Sequence, residues 1–219
     1  MSERSSWSSR SRRIVPRPTS RRVGTRHRLT CSRWSASIGG PASAAWTFCA
    51  GGLIPHWAKD INVGFANINA KAEGIENRPA FRHAFERRWC LVPVDNFYEW
   101  KKTATGKQPY AVALADRGLM ALAALWENWR SPAGEWMRSF VIITTMPNEL
   151  CAELHNRMPV VLKPEGWPEW LGEEPADPRQ LKALLAPYPS DEMTCWAVSP
   201  RVGNVKNNDP SLSEPISAQ

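Results

Sequence analysis

The arginine residues of this 219-residue chain are concentrated at its N-terminal end, and this bias limits which part of the chain can fold. Residues 1–50 contain ten arginines, no lysine and one acidic residue, Glu3, which gives the segment a charge of +9. The segment also lacks a regular spacing of apolar residues, so it offers no face that a hydrophobic core could bury. We therefore expect residues 1–50 to be disordered or foreign to the fold, and residues 51–219 to form one domain.

The rest of the chain is slightly acidic. Residues 51–219 contain 18 basic and 20 acidic residues, a net charge of −2, although the whole chain carries +7. A basic protein often binds nucleic acid. Here the excess charge belongs to residues 1–50, so a nucleic-acid site in the folded segment has to be a local patch.

Two origins explain an N-terminal segment of this kind. An organellar transit peptide is rich in Arg and Ser and poor in acids, whereas a secretory signal needs an apolar stretch that is absent here. Translation in the wrong frame is the other origin. The sequence Phe48-Cys49-Ala50-Gly51-Gly52 has possible codons that, read two bases later, give Leu-Arg-Trp-Gly. We favour the out-of-frame hypothesis, with the boundary at Gly51.

Cysteine usage and hydropathy exclude several classes of protein. The chain has five cysteines, Cys31, Cys49, Cys90, Cys151 and Cys195, and none of them forms a C-x-x-C pair. That number and spacing argue against a zinc site and against a secreted disulfide scaffold. No apolar run approaches about 18 residues, the length that spans a membrane. We expect a cytoplasmic, nucleoid-associated protein without metal or cofactor.

Short apolar segments predict a fold dominated by strands. Alternating or continuous apolar residues favour strands at 90–94, 97–100, 110–114, 119–126, 139–145 and 196–199. Short helices are predicted at 78–88, from Asn148 to His155, at 166–171 and at 178–185. This mixture predicts an α+β class: a compact single domain on a mainly antiparallel, barrel-like β-sheet with short flanking helices.

Glu99 lies among aromatic residues in Phe97-Tyr98-Glu99-Trp100. On a strand, Phe97, Glu99 and Lys101 share one face. Two interpretations stay open. Glu99 is either a surface carboxylate paired with Lys101, or a carboxyl group in an apolar pocket whose pKa rises into a range useful for acid catalysis.

His155 and Arg157 lie in Leu154-His155-Asn156-Arg157-Met158-Pro159. Pro159 ends any preceding helix, which places His155 at the end of an element. An arginine at residue 157 can bind a phosphate through two hydrogen bonds. A single histidine is more often structural, so the His-x-Arg spacing alone decides little.

The segment Asn67–Glu73 places Asn67, Asn69, Lys71 and Glu73 on one face of a strand. Such a polar row is usually solvated. It would also present amide and ammonium groups to a sugar-phosphate chain.

A thiol peptidase needs a cysteine, a histidine and an orienting group. Cys151 and His155 are four residues apart and share a face if they lie on one helix. No further signature supports this pair.

Several motifs, in one order over roughly residues 51–216, resemble the SOS response-associated peptidase (SRAP) family, a family that processes abasic sites in DNA. They are Gly52-Leu53-Ile54-Pro55-His56-Trp57-Ala58-Lys59-Asp60, Asn69-Ala70-Lys71-Ala72-Glu73, Pro79-Ala80-Phe81-Arg82, the segment Arg87–Trp100, Leu125-Trp126-Glu127, Ile143-Thr144-Thr145, His155-Asn156-Arg157-Met158-Pro159, Val198-Ser199 and Val202–Asn207.

The resemblance implies a DNA-damage function. The family binds single-stranded DNA, and the α-amine and thiol of an N-terminal Cys close a thiazolidine ring on the aldehyde of an abasic site. By resemblance, the catalytic residues are Asn69, Glu99 and His155, and the DNA-binding residues are Trp57, Lys71 and Arg157. The implied partner is single-stranded DNA containing abasic sites, with no membrane partner, and the protein is expected to be a monomer.

Four positions depart from the family pattern. Lys71 replaces the usual Arg, Asn96 replaces a Gly, Gly51 stands where the family has Trp, and residue 2 is Ser rather than Cys. We expect the chain as written not to form the thiazolidine, because that ring requires an amine and a thiol on adjacent carbons. Three alternatives stay open: a non-catalytic protein that binds single-stranded DNA, a thiol peptidase that uses Cys151, and a defective gene product that does not fold.

Overall fold

The structure, a computed structural model, describes residues 30–35, 43–104 and 106–216. Most of the regular secondary structure in these residues is β-strand. The strands are β1 (Thr30–Ser35), β2 (Ser43–Phe48), β3 (Ala50–Gly51), β4 (Asn69–Lys71), β5 (Trp89–Val94), β6 (Phe97–Thr103), β7 (Gly106–Leu114), β8 (Met120–Arg130), β9 (Trp136–Thr145), β10 (Met158–Pro159), β11 (Val161–Leu162) and β12 (Met193–Ala197). The α-helices are α1 (Arg82–Phe85), α2 (Glu149–Ala152), α3 (Trp167–Leu171) and α4 (Pro178–Ala183). Short 3₁₀ helices also occur, such as Ile61–Ala66 between β3 and β4.

The larger sheet has the strand order β10-β9-β8-β5-β1-β2, and its neighbours along this path are antiparallel. Strands β3 and β4 pair with β9 in parallel, and β11 pairs with β8. The class is therefore α+β with mostly antiparallel strands, as predicted.

This sheet is not closed into a barrel, which corrects the expectation of a barrel-like sheet. The path of described strands begins at β10 and ends at β2. The physical reason lies at β9, where the short strands β3 and β4 occupy the hydrogen-bonding positions that a closing strand would need.

A smaller antiparallel sheet has the order β12-β7-β6. Its register places Glu99 on β6 opposite Tyr110 on β7, and Trp196 on β12 opposite Ala111. The strand that carries the candidate acid is therefore an edge strand of the smaller sheet.

The domain has three layers, with the larger sheet between the helices and the smaller sheet. The central strands of the larger sheet are therefore buried on both faces. On β8, Ala121, Ala123 and Leu125 pack in one cluster with residues of α3 and α4. The alternate residues of β8, such as Leu122, pack in a second cluster with residues of the smaller sheet, such as Val112. Alternation along β8 thus sends successive side chains to opposite layers.

Two strands, β1 and β2, come from the segment predicted to be foreign to the fold. They pair with each other, and Ser32 of β1 pairs with Leu91 of β5. The predicted disorder of residues 1–29 and 36–42 falls outside the described residues. The boundary at Gly51 and the out-of-frame origin stay predictions.

Among the described residues, the longest α-helix has six residues, so none of these helices could cross a membrane.

Candidate active site

Glu99 and His155, which are far apart in sequence, meet in the structure. Glu99 lies on β6, and His155 follows α2. The distance between Glu99 Oε2 and His155 Nδ1 is 4.0 Å. The side chain of Glu99 is 20% exposed and that of His155 is 50% exposed. A partly buried carboxyl group thus lies beside an accessible imidazole.

Helix α2 fixes the position of His155 through its cap. The side-chain oxygen of Asn148 accepts a hydrogen bond from the backbone N–H of Cys151, so Asn148 caps the helix as its sequence position predicts. The backbone N–H of His155 donates to the carbonyl of Cys151 at 2.9 Å. Asn148 is itself buried, and its amide donates to the carbonyl of Tyr188. The chain just before His155 is therefore tied to the core.

Burial raises the pKa of the Glu99 carboxyl above its ordinary value. The nearby His155 and a hydrogen bond from the backbone N–H of Trp100 act in the opposite direction but do not outweigh burial. Lys101, the predicted partner in the surface interpretation, binds Glu153 instead, with 3.3 Å between Nζ and Oε2. The surroundings of Glu99 thus match the apolar-pocket interpretation.

The His155 ring has a backbone partner in either neutral tautomer. Its Nδ1 lies 3.2 Å from the backbone nitrogen of Arg157 and 3.3 Å from the carbonyl oxygen of the same residue. When Nδ1 is unprotonated it accepts from the N–H, and when it is protonated it donates to the carbonyl. The ring can therefore exchange a proton without losing its orientation.

The guanidinium of Arg157 is engaged by protein groups. Its Nη1 and Nη2 atoms each lie 2.8 Å from an oxygen of Glu73, and Nη2 also donates to the carbonyl of Thr144 at 2.5 Å. This pairing with Arg157 is the main reason that the pKa of Glu73 lies below its ordinary value. A DNA phosphate at Arg157 would have to replace Glu73.

Lys71 lies close to this pair, whereas Asn69 is two residues earlier on the same strand. Both are exposed on β4, and Lys71 is paired in register with Thr144 of β9. The charge of Lys71 also contributes to the lowered pKa of Glu73. Within the part of the chain that the structure describes, no hydrogen bond joins Asn69 to Glu99 or His155.

Trp57 lies in the turn after Pro55, and 54% of its surface is exposed. This is a large apolar surface open to solvent, which a nucleic-acid base could cover.

Cys151 is unsuited to act as a nucleophile. The residue is fully buried, and burial, with smaller contributions from Glu99 and Cys195, raises the pKa of its thiol to about 12. A reactive cysteine requires the thiolate, which a raised pKa suppresses. The geometry therefore gives no support to a thiol peptidase that uses Cys151.

Sequence reasoning did not single out a polar cluster around Glu127, which is 1% exposed. Its Oε2 lies 2.9 Å from His83 Nδ1 and 3.5 Å from His56 Nδ1, and its Oε1 binds Arg88. Desolvation is the main cause that lowers the pKa of each histidine. A signal was present, because Glu127 falls in phase with the buried residues Leu125 and Trp129 along β8.

Comparison with known proteins identifies the family. The family model of the SOS response associated peptidase (SRAP) matches residues 18–205. The chain belongs to this family. The matched stretch begins ahead of the predicted boundary at Gly51.

Two relatives carry names that describe a function. Abasic site processing protein YoqW of Bacillus subtilis (strain 168) is 44% identical over 164 residues, which cover 74% of this chain and 73% of the relative. Abasic site processing protein YoaM of the same organism is 42% identical over 162 residues, which cover 74% and 71%. A crystal structure of a protein from Bacteroides thetaiotaomicron has a TM-score of 0.73 at 25% identity and covers 78% of this chain and 77% of that chain. Its likeness supports the fold.

Proposed function

We propose that this protein processes abasic sites in single-stranded DNA and that Glu99 and His155 carry the proton transfers. The observation that supports this most directly is the placement of a carboxyl group with a raised pKa beside an accessible imidazole, at 4.0 Å. The names of the relatives point to abasic sites.

The covalent step begins when a protein amine attacks the aldehyde carbon of the open-chain sugar. A C–N bond forms, the nitrogen loses a proton, and the aldehyde oxygen becomes a hydroxyl group. Protonated Glu99 then donates its proton to that hydroxyl, the C–O bond breaks, and water leaves. Glu99 ends the step as a carboxylate, and the DNA is held through a protonated imine. Acid catalysis of this kind contributes about 10²–10⁴-fold to the rate.

His155 acts earlier, on the closed form of the sugar. The ring opens when the hydroxyl at the anomeric carbon loses a proton and the ring oxygen gains one. His155 Nε2 accepts the first proton and then returns one to the ring oxygen, while Nδ1 keeps its backbone partner at Arg157 throughout. Its half-exposed side chain leaves room for the sugar.

The remaining predicted residues hold the strand. Trp57 offers a surface on which a base can stack, at about 1–3 kcal/mol per base. Lys71 offers a charge to a phosphate, and Asn69 on the same strand face offers an amide to the sugar. Arg157 joins them when a phosphate displaces Glu73. We propose that these groups act as a local patch, because the folded segment has a net charge of −2 and carries no general excess of positive charge.

The test is reductive trapping on a single-stranded oligonucleotide with one abasic site. Borohydride reduces an imine to a stable amine, so a complex that survives denaturing electrophoresis reports the proposed intermediate. We expect Glu99→Gln and His155→Gln each to slow trapping by at least about 100-fold. Glu153→Gln, which removes a nearby exposed carboxylate, should trap at the unsubstituted rate.

Two outcomes would contradict the proposal. Trapping that is equally fast in all three variants would remove Glu99 and His155 from the chemistry. Tight binding of the oligonucleotide without any trapping would favour the alternative of a protein that only binds single-stranded DNA.

A further inference from the structure

Three separate parts of the chain bring potential metal ligands together at one point. His56 comes from the turn before Trp57, His83 from α1 and Glu127 from β8. One ligand atom from each of the three residues lies within 4.8 Å of the others. The two imidazole rings have centroids 4.4 Å apart. The sequence separations are large, so the fold itself assembles the group.

The two oxygens of the Glu127 carboxylate have different partners: one binds other protein groups, and the other faces the two imidazole rings. Glu127 Oε1 accepts from the backbone N–H of Asn128 at 2.9 Å and also binds Arg88. Oε2 faces both imidazoles, at 2.9 Å and 3.5 Å. Other protein groups therefore orient the carboxylate, as is usual for a carboxylate that coordinates a metal.

The spacing suits a small divalent ion. Zinc binds imidazole nitrogen and carboxylate oxygen at about 2.0–2.2 Å, which separates neighbouring ligand atoms on a tetrahedral ion by about 3.4 Å. The two distances from Oε2 to the imidazole nitrogens lie on either side of this value. Adjustment of the two side chains, which are 46% and 32% exposed, is enough to reach it.

We propose that His56, His83 and Glu127 form a binding site for a divalent transition metal, with Zn²⁺ as the expected ion. Two imidazole nitrogens and one carboxylate oxygen supply three ligands, and a water from the solvent side supplies the fourth. The ion displaces the proton shared by His83 and Glu127. This site is separate from the Glu99–His155 pair and does not depend on the proposed function.

Arg88 sets the strength of the site. Its positive charge opposes a second cation, while its bond to Oε1 takes up part of the carboxylate charge. We therefore expect weaker zinc binding than the same three ligands would give without a neighbouring cation.

Binding would connect the Trp57 turn to the core. His56 precedes Trp57 directly, and His83 and Glu127 belong to elements packed in the domain. A metal ion that holds His56 thus limits the movement of an exposed residue proposed to contact DNA.

The experiment is calorimetric titration of the metal-free full chain with zinc chloride. We expect one zinc ion per chain, and binding at least about tenfold weaker in His56→Ala and in His83→Ala. The chain contains two other histidines, His27 and His155. His27→Ala and His155→Ala are therefore matched controls that should bind zinc like the unsubstituted chain.

A second measurement needs no substitution and covers the case in which a variant fails to fold. Zinc X-ray absorption of the loaded full chain should show two imidazole ligands, oxygen ligands and no sulfur. Sulfur coordination, absence of zinc binding by the full chain, or undiminished binding in folded His56→Ala and His83→Ala would overturn the proposal.

Discussion

At the scale of single residues, Glu99 lies in a setting that disfavours its charged form. Burial raises the pKa of its carboxyl, so the folded protein holds the proton of Glu99 more tightly than the unfolded chain does. At acidic pH the group is protonated in both states and costs nothing. As the pH rises from the ordinary pKa through the raised one, the unfolded chain ionises first, and Glu99 then subtracts from stability.

Glu99→Gln is therefore expected to stabilise the protein at neutral pH and to change little at acidic pH. Urea unfolding at about pH 4 and about pH 8, one below and one well above the ordinary pKa of a glutamate, measures this difference. The control is Glu153→Gln, because Glu153 is 72% exposed and pairs with Lys101 at the surface. A gain of equal size at both pH values, or a loss at neutral pH, would show that Glu99 is not held against desolvation.

A second residue-scale question concerns Glu73, which occupies the guanidinium of Arg157. Glu73→Gln removes that charge and leaves Arg157 free to bind a phosphate. We expect tighter binding of single-stranded DNA and a steeper salt dependence, by about 0.7 in the logarithmic slope for one added phosphate contact. Fluorescence anisotropy with a labelled oligonucleotide at several salt concentrations measures both quantities.

Glu76→Gln is the matched control, since Glu76 lies in the same segment but pairs with Lys182. It should leave the slope unchanged. If Glu73→Gln and Glu76→Gln have the same effect, the gain comes from general charge and Arg157 does not contact phosphate.

The Glu73–Arg157 pair also makes a pH-dependent contribution to stability. Because the pKa of Glu73 is lowered, this contribution is present at neutral pH and is lost as the pH falls through the lowered value.

At the scale of elements, the turn that carries His56 and Trp57 depends on a close approach of two backbone segments. Gly52 has a φ of +91°, and a Cβ at this position would lie 2.2 Å from the carbonyl oxygen of Gly64. Leu53 donates its N–H to the carbonyl of Asn67, and the Asn67 amide donates back to the carbonyl of Leu53. The glycine permits this approach, and the two hydrogen bonds hold it.

Gly52→Ala is expected to lower the free energy of unfolding by about 3 kcal/mol or more, because it combines a strained φ with a backbone clash. Gly74→Ala isolates the first effect. Gly74 has a φ of +70°, and a Cβ added at this position would have no other part of the described chain within 4 Å. This substitution should therefore cost only about 1 kcal/mol. Thermal unfolding of both variants compares them. Equal losses of stability in the two variants would mean that the backbone at Gly64 moves away from the added methyl group at no cost in free energy.

The sequence predicted elements well where apolar spacing was long and regular. The strand predicted at 139–145 is the C-terminal part of β9, and the helix capped by Asn148 is present as α2. The helix predicted at 78–88 is too long at both ends. Arg78 has an extended backbone, and α1 runs only from Arg82 to Phe85. The apolar spacing of Phe81, Ala84 and Phe85 is satisfied by a single turn, so the pattern does not reveal where the helix begins.

The candidate site was predictable in part, for physical reasons. Residue type and local setting pointed to Glu99 and His155, but no local pattern states that two residues 56 positions apart will lie 4.0 Å from each other. The partner of Arg157 was missed because Glu73 reaches it through the pairing of β4 with β9. Contacts set by the pairing of distant strands leave no spacing in the sequence.

At the scale of the whole molecule, charge and fold are distributed over different parts of the chain. Residues 1–50 carry +9 and residues 51–219 carry −2, yet the family match begins at residue 18 and includes strands β1 and β2. The first 17 residues therefore contribute charge without belonging to the matched stretch. We therefore expect two separable contributions to DNA binding: a non-specific electrostatic attraction from the first 17 residues, and specific contacts from the proposed site in the domain.

The five arginines of residues 1–17 provide the test. They are Arg4, Arg10, Arg12, Arg13 and Arg17. Replacing all five with Gln should weaken binding to single- and double-stranded DNA by a similar factor, because this segment is expected to attract any polyanion. The salt slope on single strands should fall by up to about 0.7 for each arginine that contacts a phosphate.

Lys71→Ala should instead weaken single-strand binding more than duplex binding, because Lys71 lies on the proposed patch. Lys107→Ala, on the exposed start of β7, is its control. Anisotropy titrations with matched single- and double-stranded oligonucleotides distinguish these cases, and the separation fails if loss of the five arginines abolishes the preference for single strands.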